Sequence, residues 1–299
     1  MKILLLGKNG QVGWELQRSL GPLGELVACD FDSAAPLQAD FAEPDSLAAL
    51  VQALRPQLIV NAAAHTAVDR AESEPERARA INATAPAVLA RAAADLGALL
   101  VHYSSDYVFD GSGNLPRDEL APTGPLSVYG RTKLEGEQLV AASGCRHLIL
   151  RTSWVHAARG GNFARTMLRL AAERDELKVI DDQIGAPTGA ELLADVTAHA
   201  IRATLADPRL SGLYHCTAAG QTSWHAYASF VIEWARARGH PIKVEPHAVR
   251  PMATRDYPTA ARRPLNSRLD SGRLQQTFGL VLPPWQLGVE RMLSEVLAD

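Results

Sequence analysis

A chain of 299 residues with 47% hydrophobic and 21% charged residues has the composition of an ordinary globular protein, with room for one large domain and a smaller lobe. Its 30 basic against 33 acidic residues leave a net charge of -3, which argues against coating nucleic acid or a membrane surface. Three widely spaced cysteines, Cys29, Cys145 and Cys216, suggest neither a disulfide framework nor a zinc cluster and read as apolar fillers in a reducing compartment.

The first apolar run, residues 3–6, stops at Gly7 and is too short for a signal-peptide core, and no stretch approaches ~20 apolar residues. A cytoplasmic protein is expected. The patterning predicts strands over 2–6, 25–29, 58–62, 99–104 and 147–151. Between them it predicts helices over 12–20, with Trp14, Leu16 and Leu20 on related faces, and over 46–54, 80–96 and 129–142. Apolar strands alternating with helices indicate an α/β fold, a doubly wound parallel sheet (a Rossmann fold) in residues 1–150. The segment 151–299 is expected to complete the sheet and form a smaller substrate-binding lobe. Helices are predicted there over 162–174, 190–206 and 222–238, followed by a proline- and arginine-rich stretch over 249–273.

Directly after the first strand comes Gly7-Lys8-Asn9-Gly10-Gln11-Val12-Gly13. One glycine permits the strand-to-helix turn, one lets a pyrophosphate approach the backbone, and one lets the helix pack on the strand. The phosphates then meet free N–H groups at the helix N-terminus, so this loop predicts dinucleotide binding. Asp30 ends the second strand, where a carboxylate accepts hydrogen bonds from ribose hydroxyls and repels a 2′-phosphate, which favours NADH. Lys8 or Arg18 is placed to hold the extra phosphate of NADPH, so both cofactors stay open. Asp40-Phe41 is a candidate adenine contact. The small residues of Asn61-Ala62-Ala63-Ala64-His65 leave room for a flat cofactor at the end of the third strand.

Tyr129-Gly130-Arg131-Thr132-Lys133 puts a phenol and an ammonium four residues apart, on one face of a helix. A free phenol titrates near ~10 and exchanges protons poorly at neutral pH, whereas a nearby cation favours phenolate. Upstream, the fourth strand runs into Ser104-Ser105-Asp106-Tyr107-Val108-Phe109, and a strand-end hydroxyl is well placed to polarise a substrate carbonyl. Glycine loop, strand-end serine and Tyr-x-x-x-Lys, in that order, make the set of a short-chain dehydrogenase/reductase.

These motifs, with Thr66-Ala67-Val68-Asp69, Arg151-Thr152-Ser153-Trp154-Val155, Asp182-Gln183-Ile184-Gly185-Ala186-Pro187-Thr188, Arg263-Pro264 and Asn266-Ser267-Arg268-Leu269, resemble the dTDP-4-dehydrorhamnose reductase family over essentially the whole chain. The resemblance implies hydride transfer from NADPH or NADH to carbon 4 of a dTDP-linked 6-deoxy-4-ketohexose, the last step of activated rhamnose synthesis. By position it implies Tyr129 as proton donor, Lys133 as the group that lowers its pKa and binds the nicotinamide ribose, and Ser105 where the family usually has threonine. Asp106 and Trp154 would contact the sugar. Gly7, Gly10, Gln11, Val12, Gly13, Asp30, Asp40, Phe41, Ala63, Ala64, His65, Thr66 and Tyr103 would form the cofactor path. Arg250, Arg255, Arg262, Arg263, Arg268 and Arg273 are candidates for clamping the nucleotide diphosphate. Some members bind Mg2+ between carboxylates at a homodimer interface, and Glu15, Glu191 and Glu295 are the acidic residues in the corresponding regions. Two alternatives stand beside this reading: a sugar-nucleotide epimerase or dehydratase on the same fold, and a non-catalytic NADP-binding regulatory subunit.

Overall fold

Apolar runs of four to seven residues supply the strands. In the computed structural model, which describes residues 1–34 and 37–298, six of them form one sheet: β1 (Lys2–Leu6), β2 (Glu25–Cys29), β3 (Leu58–Asn61), β4 (Leu99–Ser105), β5 (Arg146–Thr152) and β6 (Gly212–His215). Their order is β6-β5-β4-β3-β1-β2 and every neighbouring pair is parallel. Helices α1 (Gln11–Leu20), α2 (Pro44–Leu54), α3 (Val68–Ser73), α4 (Pro75–Arg79), α5 (Ala85–Leu96), α6 (Val128–Ala142), α7 (Phe163–Glu173) and α8 (Ala190–Ala206) run between the strands. Three more follow: α9 (Trp224–Ala237), α10 (Gly272–Phe278) and α11 (Trp285–Val296).

The two-residue period of a strand sorts the side chains into two layers. Ile3, Leu5, Leu58, Val60, Leu99 and Val101 share a core with Leu16 and Leu20 of α1 and with Leu193 and Ala200 of α8. Leu4, Leu6, Ile59 and Leu100 face the other way, onto Leu47 and Val51 of α2 and Leu89 and Ala93 of α5. Both faces are therefore covered, as an all-parallel sheet requires. β1 lies between β2 and β3, so the winding direction reverses beside it. The crevice at the carboxyl ends there is where such sheets bind ligands.

Two glycines make that crevice possible. Gly7 has φ +84°, and a Cβ on it would stand 2.6 Å from the Ala63 nitrogen. A Cβ on Gly13 would overlap the Gly7 carbonyl oxygen, so α1 starts directly over the turn only because that atom is missing.

The structure departs from the expected elements where local signals are weak or overridden. The helix expected over 80–96 begins as a π-helical turn, Ala80–Thr84, and continues as α5 with Pro86 in its first turn. α9 starts at Trp224 rather than at 222, because Thr222 and Ser223 pair antiparallel with Ile184 and Gly185, and Ser223 then caps the Ala226 N–H. α3, α4, α10, α11 and β6 lie outside the expected elements. The first two are only six and five residues long and mostly polar, and β6 is a four-residue strand. Beyond the sheet, α7, α9 and α11 bury Tyr227, Val231, Trp285 and Met292 in a core of their own. The parallel strands Leu177–Ile180 and Val249–Met252 flank it. Among the described residues no helix is long and apolar enough to cross a membrane.

The glycines of the first loop should respond differently to a methyl group. Gly13→Ala should destabilise the protein by about 1–3 kcal/mol through overpacking against Gly7, read as a lower urea midpoint. Gly10→Ala, whose Cβ meets nothing nearer than 3.5 Å, should leave that midpoint nearly unchanged and weaken cofactor binding instead.

Candidate active site

A cavity of about 830 Å³ opens along the carboxyl ends of the strands. At one end it is lined by Gly7, Gly10, Gln11 and Val12 with Asp30, Asp40 and Phe41; Ala63, Ala64, Thr66 and Tyr103 line its middle. Ser105, Asp106, Tyr129, Lys133 and Trp154 line the other end. Two expected cofactor residues are placed elsewhere. Gly13 acts through helix packing and does not face the cavity. The His65 ring turns to Glu74, at 3.8 Å, while its backbone N–H donates to Asn82 Oδ1 at 2.8 Å. The loop is thus fixed by Asn82, leaving the imidazole away from the cavity.

At the dinucleotide end, Asp30 Oδ2 accepts the Asn9 N–H (3.1 Å) and Oδ1 accepts the Phe31 N–H (2.8 Å). The Asn9 amide donates to Asp32 Oδ1 at 3.0 Å, which ties the glycine loop to the end of β2. Asn162 Nδ2 donates to Gln11 Oε1 at 3.3 Å and joins the loop to the C-terminal half.

At the other end, the first turn of α6 is held from two sides. Ser127 Oγ caps the Gly130 N–H (3.2 Å) and Glu72 Oε1 accepts the Val128 N–H (2.7 Å). A Cβ on Gly130 would overlap the Tyr107 carbonyl, so the turn following β4 and the helix carrying Tyr129 meet at backbone distance. Tyr107 packs edge-on against Tyr129, with ring centroids 5.4 Å apart. One turn along α6, Lys133 is buried and its Nζ donates to the Tyr103 carbonyl at 2.6 Å. Glu137 follows after another turn and grips Arg151 of β5 through two hydrogen bonds of 2.9 and 2.6 Å, both side chains about 5% exposed. Burial brings Lys133 down to about 8, with Glu137 opposing the shift.

The Tyr129 phenol is pushed up to about 12 by burial, with the Ser105 hydroxyl favouring the ionised form and Asp106 opposing it. Dehydration of the phenol dominates its acidity, and the Lys133 ammonium is engaged with the Tyr103 carbonyl. Tyr129 therefore carries its proton at neutral pH. Ser105 Oγ donates to Asp106 Oδ1 (3.0 Å) and accepts the Tyr107 N–H (3.2 Å). Asp106 Oδ2 is buried without a hydrogen-bond partner, and burial raises this carboxyl to about 6, with the Ser267 and Ser105 hydroxyls pulling it back.

Several residues of the site have no counterpart in the sequence expectations: Trp224, Tyr107 and Arg77 line the cavity, and Glu72 and Glu137 support α6. The spacing of Glu137, four residues beyond Lys133, was a readable signal; the others meet the site only through tertiary packing. None of the six candidate arginines lines the large cavity. Arg263 pairs with Asp69 at 2.6 Å, Arg250 with Glu176 at 3.6 Å, and Arg268 lines a second cavity of about 390 Å³ behind Gly185.

A parallel sheet with a glycine loop at its switch point and a hydroxyl–phenol–ammonium set at the far end of one cavity defines a Rossmann-type α/β protein of the short-chain dehydrogenase/reductase class. Residues 1–298 match the model of the RmlD substrate binding domain family, and the chain belongs to that family. It is 57% identical over 296 residues to a dTDP-4-dehydrorhamnose reductase of Escherichia coli (strain K12), covering 99% of this chain and 98% of that protein. A reductase of the same name from Burkholderia thailandensis is 47% identical and covered in full. Among solved structures, a dTDP-4-dehydrorhamnose reductase of Clostridium acetobutylicum superposes with a TM-score of 0.87 at 37% identity over 98% of this chain and 99% of that one. That of Bacillus anthracis in complex with NADP superposes with a TM-score of 0.86 at 34% identity and the same coverage.

The buried pair below Lys133 has two measurable consequences. Glu137→Gln strips Arg151 of its carboxylate and should destabilise the fold by about 3–5 kcal/mol in urea. The Lys133 ammonium is present below pH about 8 and lost as pH rises through that value. Removing the charge that supports it should therefore move the alkaline limb of kcat/KM to lower pH.

Proposed function

We propose that this chain reduces the carbon-4 keto group of dTDP-4-dehydro-L-rhamnose to give dTDP-L-rhamnose, using NADPH or NADH. The observation that carries this reading is the Ser105–Tyr129–Lys133 set lining the end of a dinucleotide-sized cavity, in a chain 57% identical to a reductase of that name. When bound, the nicotinamide supplies the hydride. The glycine loop around Gly7 and Gly10 would hold its pyrophosphate and Asp30 the adenosine ribose, a carboxylate that favours NADH over the 2′-phosphate of NADPH.

The residues of the chain do the rest. Ser105 Oγ turns its proton from Asp106 Oδ1 to the substrate carbonyl oxygen and polarises it, while the Tyr107 N–H donated to Oγ keeps the serine in place. Tyr129, protonated because its pKa stands at about 12, delivers a proton to the alkoxide as it develops. The nearby Lys133 ammonium stabilises the phenolate left behind. Trp154 offers a flat apolar face to the deoxy sugar. The carboxylates lining the cavity are Asp106 here and Asp30 and Asp40 at the dinucleotide end, so Asp106 stands alone beside Tyr129 and the acidic pair of a dehydratase is lacking among the described cavity-lining residues.

A homodimer holding Mg2+ is the remaining part of the proposal. Glu191 is raised by burial and, in smaller measure, by the charges of Glu15 and Glu295, against its own backbone hydrogen bond and the Arg291 guanidinium; a divalent cation would relieve the repulsion among the three carboxylates. Among the described residues one chain brings no three acidic, histidine or cysteine side chains to metal-binding distance, so a second copy would complete the site. The cation is structural in this reading, since no glutamate of the three lines the catalytic cavity.

Loss of nicotinamide absorbance, matched mole for mole to the keto sugar supplied, tests the activity; absence of turnover with cofactor still bound would sink it. Tyr129→Phe should lower kcat by about a hundredfold or more with NADPH affinity retained. Near-normal turnover of that variant would remove Tyr129 as the proton donor.

A further inference from the structure

Trp154 holds a backbone conformation that L residues avoid. Its φ is +49°, and Arg55 is the only other non-glycine residue with positive φ among the described residues. The contacts that keep it there come from the C-terminal half. The indole of Trp224, first residue of α9, lies face to face on that of Trp154, with centroids 3.6 Å and planes 14° apart. Trp224 Nε1 donates to Gln183 Oε1 (3.1 Å), and Gln183 Nε2 donates in turn to Thr254 Oγ1 (3.0 Å). A Cβ on Gly185 would stand 2.7 Å from Trp154 Cε2, so the ring packs where only glycine leaves room. The Thr188 N–H donates to the Trp154 carbonyl at 3.2 Å. The segment 182–188 is thus the cradle of a tryptophan pair: Gln183 fixes one indole, Gly185 admits the other, and Thr188 pins the backbone. Both indoles line the cavity that holds Tyr129.

We propose that Trp224 is a positioning and specificity residue, which by stacking on Trp154 holds that indole in its strained pose and makes the pair one rigid wall against the sugar. The inference rests on the reading of Trp154 as the sugar contact. A rigid wall selects a substrate by the shape of its apolar face, and its loss removes binding shared by ground and transition states, so the effect falls on KM more than on kcat.

Trp224→Ala, Trp224→Phe and Trp154→Ala are compared with the unaltered protein at saturating NADPH, with circular dichroism reporting the exciton couplet of stacked indoles. Trp224→Ala should raise KM for dTDP-4-dehydro-L-rhamnose by about three- to tenfold and abolish the couplet, while NADPH affinity stays within about twofold. Trp224→Phe should also lose the couplet but recover most of KM, because a flat ring still backs Trp154. A merely structural tryptophan would shift the melting point and leave this split unmoved. Should Trp224→Ala fail to fold, Trp224→Leu, which keeps apolar volume without a flat face, is read by the same criteria. Loss of the couplet with unchanged KM in a folded Trp224 variant, while Trp154→Ala raises KM, would overturn the role of Trp224 alone. Unchanged KM in Trp154→Ala as well would overturn the sugar-contact reading beneath it.

Discussion

Burying the Lys133 ammonium costs several kcal/mol of lost hydration, and the structure around it is organised to offset that cost. Nζ has a carbonyl partner in Tyr103, and Glu137 lies one helical turn away as the counter-charge. Glu137 is itself neutralised by Arg151, whose guanidinium lies over the Phe109 ring at 5.0 Å and beside His215 Nε2 at 3.4 Å. The two histidines nearby add no further charge. Burial and Arg151 hold His215 down at about 3, and burial and Lys133 push His102 well below its ordinary range. The site therefore keeps one net cation, on the helix that carries Tyr129.

That arrangement needs helix α6 pressed against its neighbours more tightly than side chains allow. Gly130 meets the Tyr107 carbonyl, and Gly136 meets the Asn82 carbonyl in the π-helical turn. Asn82 then uses its side chain to accept from the His65 N–H and to donate to the His65 carbonyl and to Thr132 Oγ1. One asparagine in an irregular turn thus joins the loop after β3 to the helix carrying Tyr129 and Lys133. This is also why the His65 imidazole lies away from the cavity, since its backbone is the part the structure uses.

The dinucleotide end was legible in the sequence because its determinants are local. A glycine loop between an apolar strand and an amphipathic helix specifies its own geometry within a dozen residues, and Asp30 sits at a strand end that patterning alone locates. The Tyr129–Lys133 spacing was legible for the same reason. The acidity of Tyr129 was not, since it depends on how deeply the phenol is buried and on which partner the ammonium takes. Trp224 was hidden for a related reason: an indole at the start of a helix reads as core, and only the pairing of Thr222–Ser223 with Ile184–Gly185 brings it to Trp154. The short polar helix α3 carries no apolar period to announce it, although its Glu72 anchors α6.

The two ends of the cavity are consequently built on different principles. The dinucleotide end is made from segments close in sequence and tied by Asn9, Asp30 and Asp32. The sugar end joins segments as far apart in sequence as Asp69 and Ala261. Asp69 of α3 accepts from the Ala261 N–H and pairs with Arg263, which draws the C-terminal stretch across the substrate side. Gly111 then meets Pro264 where a Cβ would lie 2.5 Å from its Cα, Asn266 donates to the Ser112 and Leu115 carbonyls, and Ser267 is delivered to Asp106. Because α3 holds this stretch through Asp69 and the first turn of α6 through Glu72, the C-terminal stretch and the helix carrying Tyr129 share one anchor. Changes in the 261–267 stretch can therefore reshape the far end of the cavity without touching the glycine loop, whereas changes in α3 act on that stretch and on the first turn of α6 together.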